Sequence, residues 1–299
     1  MATQSDIKLI ISDLDGTLLQ NKIKTIDPQT ITFINKIIDE YKVGFAIASG
    51  RNILECLPVV QELNIKPNQD FYIIVCNGAA TCNLKTKEYI NVRTISNGYL
   101  QKFLVFFQQT YPKFKKQSMF QIYRMNKVFN NNDIPEYLTY NSKMLHQILS
   151  CASKSYAAGG HARRKIIDLV DTAGIDDCLK IMVYFEDVSD QILFSQIIKK
   201  HIDFANFEIT SSDKFNVEIT AHGASKGEAL KSLIAYLHID FKQTLPIGDG
   251  ENDVSMLKLS PNSSTLISST EFVKSFCKHV VDCPQNKFVY EVLKLFFNN

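Results

Sequence analysis

Four stretches of the chain share one pattern: an apolar run without polar alternation that stops at small, polar or acidic residues. They are Ile7–Ile11 before Ser12–Thr17, Val43–Ala48 before Ser49-Gly50-Arg51, Phe71–Cys76 before Asn77-Gly78-Ala79, and Thr244–Ile247 before Gly248-Asp249-Gly250. Strands covered on both faces read this way, as in a parallel sheet with helices on each side. Helical periodicity lies between the runs. Asp27-Pro28 predicts an N-cap and a first helical residue, and Ile31, Ile34, Ile37, Ile38 and Tyr41 follow at helical spacing. Ser225-Lys226-Gly227-Glu228 has the spacing of a capping box and leads into Ala229, Leu230, Leu233, Ile234 and Leu237. The alternation predicts an α/β fold with a doubly wound, mostly parallel core sheet. Ligands of such sheets bind beyond the carboxyl ends of the strands, where all these polar tips fall.

From about Lys85 the pattern changes to mixed segments rich in Phe, Tyr, Asn and Lys, without strand ends of this kind. The expected organisation is a discontinuous core, residues 1–84 and 213–299, interrupted by an inserted domain over 85–212. Within the insertion Phe103, Phe106, Phe107, Tyr111 and Phe114 lie near helical spacing and read as packing residues. The basic turn Gly159-Gly160-His161-Ala162-Arg163-Arg164-Lys165 reads as a solvated loop, or as a grip on a second anionic group. The histidines at 146, 201, 222, 238 and 279 show no metal-ligand spacing.

Composition narrows the class. The 299 residues are 45% hydrophobic and 21% charged, as in a soluble globular chain. A net charge of +2 gives no general attraction to nucleic acid or to an anionic membrane. No apolar run approaches the ~18 residues of a spanning helix, and Met1–Asp6 lacks the basic and apolar regions of a secretory signal. The seven cysteines are scattered, odd in number and without C-x-x-C spacing. Buried free thiols and a cytoplasmic protein are expected. Nothing in the sequence selects a monomer or a homodimer.

The chemistry sits at the strand tips. Asp13 and Asp15, two residues apart at a strand end, point the same way and can share a divalent cation or divide nucleophilic and acid–base work. Gly16 permits a tight turn after them and Thr17 can hold it. Ser49-Gly50-Arg51 offers a hydroxyl and backbone N–H groups that suit a phosphate oxygen, although an ordinary helix-start turn reads the same way. Lys226 lies in a first helical turn, where a cation opposes the helix dipole unless an anion faces it. Asp249, Glu251, Asn252 and Asp253 crowd three acids and an amide into five residues, which repel unless a cation neutralises them. No twelve-residue loop of EF-hand form surrounds them.

The order Asp13-Leu14-Asp15-Gly16-Thr17-Leu18-Leu19, Ser49-Gly50-Arg51, Lys226-Gly227, Gly248-Asp249-Gly250-Glu251-Asn252-Asp253 resembles the four motifs of the haloacid dehalogenase-like (HAD) phosphohydrolases. Asn77-Gly78-Ala79 and Ser225-Lys226-Gly227 are similar to the Cof-type branch of that superfamily. The resemblance implies a Rossmann-like core with an inserted α/β cap that sets substrate choice. It also implies a phosphatase acting through an aspartyl-phosphate, with Asp13 as nucleophile, Asp15 as acid and base, and Lys226 as a further catalytic residue. Mg²⁺ would be held by the carboxylates of Asp13 and Asp249 and the carbonyl of Asp15. Leu14, Ser49, Gly50, Arg51, Lys226 and Asn252 would bind the substrate, with Thr17 and Asp253 supporting. Small-molecule phosphate esters are the implied partners, sugar phosphates first and nucleotide or cofactor phosphates next. A sugar phosphomutase and a weakly catalytic phospho-ligand-binding regulator are the alternatives. The chain departs from the family pattern at Thr265–Ser269 and at Pro284-Gln285-Asn286-Lys287, where Asn-Ala and Asp-Gly turns are usual.

Overall fold

The first apolar run forms β1 (Leu9–Asp13), buried along its whole length. It pairs in parallel with β2 (Gly44–Ala48) on one side and with β12 (Thr244–Ile247) on the other. β3 (Phe71–Val75) adds to β2, while β13 (Ser264–Leu266) and β14 (His279–Val281) extend the sheet beyond β12. An antiparallel hairpin, β4 (Ala80–Asn83) and β5 (Glu88–Val92), completes eight strands in the order β14-β13-β12-β1-β2-β3-β4-β5. The chain builds outward from β1 in one direction and later from β12 in the other. The switch point, where such sheets leave a crevice for ligands, therefore lies between β1 and β12.

This is the computed structural model of the chain, and it describes residues 6–20, 25–66, 69–116, 118–124, 137–139, 164–166, 177–212 and 214–297. His146 and residues 159–163 of the basic turn lie outside them. Chain contacts divide the molecule into two compact units, Met1–Val92 with Ser225–Asn299, and Arg93–Ala224. Composition changes at about residue 85, whereas the contacts divide after Val92, because β5 pairs with the core sheet despite its mixed sequence.

In the first unit, α1 (Pro28–Tyr41) starts at the Asp27 N-cap, whose carboxylate accepts from the Thr30 N–H at 3.0 Å. Its buried stripe is Thr30, Phe33, Ile34, Ile37 and Ile38. Tyr41, expected on that stripe, is exposed at the final turn and instead lies against Phe297. Further on, α5 (Lys226–Leu237) buries Ala229, Leu230, Leu233 and Ile234 in one cluster with Leu9, Ile11, Ala46, Ala48 and Ile74 of the sheet. Ser225 caps it by accepting from the Glu228 N–H, but the Glu228 carboxylate turns to Lys231 at 2.6 Å, so only half of the predicted capping box forms. Among the described residues no helix is long and apolar enough to cross a membrane.

The second unit carries a six-stranded sheet in the order β10-β11-β9-β6-β7-β8. Its strands are β6 (Ser118–Arg124), β7 (Tyr137–Thr139), β8 (Arg164–Ile166), β9 (Cys178–Phe185), β10 (Glu208–Thr210) and β11 (Asn216–Thr220). Two helices, α3 (Asn97–Thr110) and α4 (Val188–Lys200), bury Phe103, Phe106, Phe107 and Phe194 against Phe120, Ile181 and Val217. The Phe103 and Phe120 rings meet edge to face at 5.4 Å. Lys180 on β9 and Glu218 on β11, diagonal neighbours in the strand register, form a buried ion pair at 3.2 Å, with the Lys180 Nζ 4.6 Å from the Tyr123 ring centroid.

Candidate active site

Side chains alternate along a strand, so Asp13 at the end of β1 shares a face with Leu9 and Ile11, the face on which α5 packs. Lys226 opens α5. Its Nζ reaches Asp13 Oδ1 at 2.5 Å and Asp253 Oδ1 at 2.6 Å, with all three side chains buried. The anion that justifies a cation in a first helical turn is thus the carboxylate pair itself. Burial works against the Lys226 charge, but Asp13 and Asp253 outweigh it and hold its pKa above the ordinary lysine value.

Asp249 follows β12 across the switch point. Its Oδ1 accepts from the Thr17 hydroxyl at 2.7 Å, so the turn after Asp15 is tied to the fourth motif. Gly16 in that turn has φ +97°, and a Cβ there would run into the Asp249 carboxylate, so no other residue type fits without displacement. Asp253 closes the loop: its Oδ2 accepts from the N–H groups of Asp249 (3.0 Å) and Gly250 (2.9 Å). One carboxylate oxygen each of Asp13, Asp249 and Asp253 lies within 4.8 Å of the others.

Electrostatics follow from burial and crowding. Desolvation and the charge of Asp253 raise Asp13 to about 7 although Lys226 opposes the shift. Desolvation and Asp13 raise Asp249 to about 6, against the Thr17 hydrogen bond. Asp253 is likewise raised by burial, against Lys226. Carboxyl groups held this way are short of positive charge. All the donors are hard oxygens, the set that suits Mg²⁺.

The remaining expected residues surround the cluster. Ser49, buried at the end of β2, accepts from the Arg51 N–H at 3.1 Å, and its carbonyl accepts from the Asn77 N–H at 3.0 Å. Gly50 lies between them on the same turn. The Leu14 carbonyl accepts from the Leu19 N–H, closing the loop after β1. Asn252 donates its side-chain amide to Asn77 Oδ1 at 3.3 Å. Arg51 is turned to Asp15, with Nε to Oδ2 at 2.7 Å and Nη2 to Oδ1 at 2.6 Å.

Three features carried no sequence expectation of this kind. Asn77 sits in the left-handed region at φ 57°, next to Gly78 at φ +104°, where a Cβ would run into the Ser225 carbonyl. That close approach brings the start of α5, and hence Lys226, up to the end of β3. The Asn-Gly pair was the available signal. The Asn52 N-cap of α2 (Ile53–Leu63) forms a full capping box with Glu55, readable as Asn-x-x-Glu. Gln285 donates from Nε2 to the carbonyls of Gly16 (2.9 Å) and Leu19 (2.8 Å), bracing the loop that carries Asp15 from the stretch where the chain departs from the family pattern. Its sequence neighbours give no sign of this.

The sequence profile of the haloacid dehalogenase-like hydrolases matches residues 10–293. A protein of Streptococcus pyogenes serotype M6 that carries a phosphatase name is 27% identical over 282 residues, covering 92% of each chain. A haloacid dehalogenase-like hydrolase from Bacteroides thetaiotaomicron superposes with a TM-score of 0.78 at 20% identity, over 97% of this chain and 100% of the other. The HAD subclass IIB sugar phosphatase BT4131 superposes with a TM-score of 0.74 at 17% identity, over 97% of this chain and 98% of its own. With the four motifs gathered at one switch point and the profile spanning nearly the whole sequence, the chain belongs to the haloacid dehalogenase-like hydrolase family and is an enzyme of its phosphatase branch.

Proposed function

We propose that this phosphatase is Mg²⁺-dependent and hydrolyses small-molecule phosphate monoesters, sugar phosphates first, through an aspartyl-phosphate on Asp13. The observation that carries the reading is the Asp13–Lys226–Asp253 cluster, buried beside Asp249 at the switch point of the sheet. Asp13 attacks phosphorus, and the bond from phosphorus to the ester oxygen breaks. Asp15 gives its proton to the departing alcohol oxygen. Asp15 then takes a proton from the water that attacks the acyl phosphate, which releases phosphate and restores Asp13. Lys226 favours the ionised, nucleophilic form of Asp13 against the burial that raises its pKa.

The carboxylates of Asp13 and Asp249 and the carbonyl of Asp15 would hold Mg²⁺. When bound, the ion supplies the positive charge that lets an anionic nucleophile meet an anionic ester. Asp253, with both oxygens engaged by Lys226 and by backbone N–H groups, orients the cluster. The backbone N–H groups of Leu14 and Gly50, the Ser49 hydroxyl, Lys226 and Asn252 grip the phosphoryl oxygens. Residues 93–224 act as the cap that selects the alcohol. Sugar phosphates rank first because BT4131, similar in fold, is named a sugar phosphatase. The described cysteines are all free, and burial pushes the Cys56 and Cys82 thiols up, which suits a reducing, cytoplasmic setting.

The test is phosphate release from a panel of sugar, nucleotide and cofactor monophosphates with Mg²⁺ or EDTA. Release that needs Mg²⁺ and is strongest with sugar phosphates is expected. Isomerised sugar phosphate without free phosphate would identify a mutase, and tight binding without turnover a regulator.

A further inference from the structure

By its motif Arg51 is expected on the substrate, yet its guanidinium faces a carboxylate of the protein. The two bonds to Asp15, 2.7 and 2.6 Å, engage both carboxylate oxygens and fix the plane of the group. Nη1 reaches the Glu55 carbonyl at 3.4 Å, tying the guanidinium to the first turn of α2. The main chain behind it is also fixed: the Arg51 N–H donates to Ser49 Oγ at 3.1 Å, and its carbonyl accepts from the Cys76 N–H at 2.8 Å. Asp15 lies past the end of β1 in a turn, with 39% of its side chain exposed and like charge on Asp249 nearby. The fork is rigid and engages both oxygens of the Asp15 carboxylate.

We propose that Arg51 is a positioning residue that acts through Asp15, holding the carboxylate in the orientation from which it serves the leaving oxygen and then the attacking water. The proposal rests on the acid–base reading of Asp15 given above. In the first half-reaction the Asp15 proton passes to the ester oxygen as its bond to phosphorus breaks. In the second, a water proton returns to Asp15 as the water oxygen bonds to phosphorus. Arg51 keeps its protons throughout. A misplacement of about 1 Å in such a group can cost on the order of 10²-fold in rate.

Two esters separate this role from phosphate binding. A hexose 6-phosphate needs a proton on its leaving oxygen, whereas p-nitrophenyl phosphate leaves as a stable anion. The Mg²⁺-loaded wild type, R51K, R51A, D15N and the double variant R51A/D15N are compared on both, with melting curves to establish folding. In R51A the ratio of kcat for the hexose phosphate to kcat for the aryl phosphate should fall about 10–100-fold, within the range of general acid catalysis. R51K should fall less, and the double variant should show no lower ratio than D15N. An unchanged ratio in R51A, or in R51K if R51A does not fold, overturns the proposal. Equal loss on both esters with weaker inhibition by inorganic phosphate also overturns it and returns Arg51 to the phosphoryl group. A wild type that hydrolyses neither ester overturns the acid–base reading itself, and the proposal with it.

Discussion

Lys226 Nζ lies 2.5 Å from Asp13 Oδ1, a contact between residues 213 positions apart in the chain. The ammonium is buried at the start of a helix, where the dipole disfavours it, and is stabilised by two carboxylates that need it equally. Removing it leaves Asp13 and Asp253 buried together without a cation. Lys226→Met is therefore expected to destabilise the fold at pH 7.5 by about 3–5 kcal/mol, the usual cost of breaking a buried pair from one side. The loss should shrink at pH 5, where Asp13 with its pKa of about 7 is protonated in the fold. Chemical denaturation at the two pH values measures both, and an equal loss at each would contradict the electrostatic account.

The raised carboxyls make a signed prediction for the metal-free protein. Asp13 rises from 3.8 to about 7 and Asp249 from 3.8 to about 6. Between the unfolded and folded values the native state binds more protons, so stability falls as pH rises through that window. Carboxylates held low, such as Asp27, Asp39 and Asp187, stay ionised there and do not reverse the trend. The metal-free melting temperature should be higher at pH 5 than at pH 8. Mg²⁺ should raise it more at pH 8, because its binding displaces protons. Equal Mg²⁺ shifts at both pH values in a thermal melt would count against metal binding at these carboxylates.

The Gln285 strap holds the carbonyls of Gly16 and Leu19, at the two ends of the loop that follows Asp15. Gln285→Ala should lower kcat by about tenfold, the scale of a small misplacement, with a melting temperature within a few degrees of wild type. Unaltered steady-state kinetics in a folded Gln285→Ala protein would show that the loop holds its shape without the strap.

Asp27 joins the start of α1 to Lys287, with Nζ to Oδ1 at 2.6 Å. Burial opposes its charge, but the bonds from Lys287 and Thr30 outweigh burial and hold its pKa below the ordinary value. Its contribution is complete above about pH 4, the ordinary aspartate value, and is lost as pH falls through the lower folded value. Asp27→Ala should cost about 1 kcal/mol at neutral pH, the size of a lost N-cap. Asp27→Asn, which keeps the cap acceptor, should cost less, as equilibrium unfolding in urea would measure.

The core strands and the carboxylate cluster were legible because both depend on local pattern. Leu9–Asp13 and Thr244–Ile247 are buried along their whole length, and their apolar runs lead straight into the polar tips. The hairpin to Val92 was not legible, since β5 is only half buried and alternates weakly. The partners of Asp15 and of the loop after it were hidden for another reason. Arg51 and Gln285 reach them across the fold, and hydrogen-bond partners distant in sequence leave no periodicity. Lys180 and Glu218 are buried charges that read as surface residues until the strand pairing makes them diagonal neighbours.

The central claim is that Asp13 is the nucleophile. It is tested most directly by phosphate release from a sugar phosphate in Mg²⁺ by wild type and Asp13→Asn, both verified as folded. An amide cannot form the acyl phosphate, so release should fall by at least about 10³-fold in the variant, the scale seen when a nucleophile is removed. Release by folded Asp13→Asn at a rate near that of wild type would contradict the account.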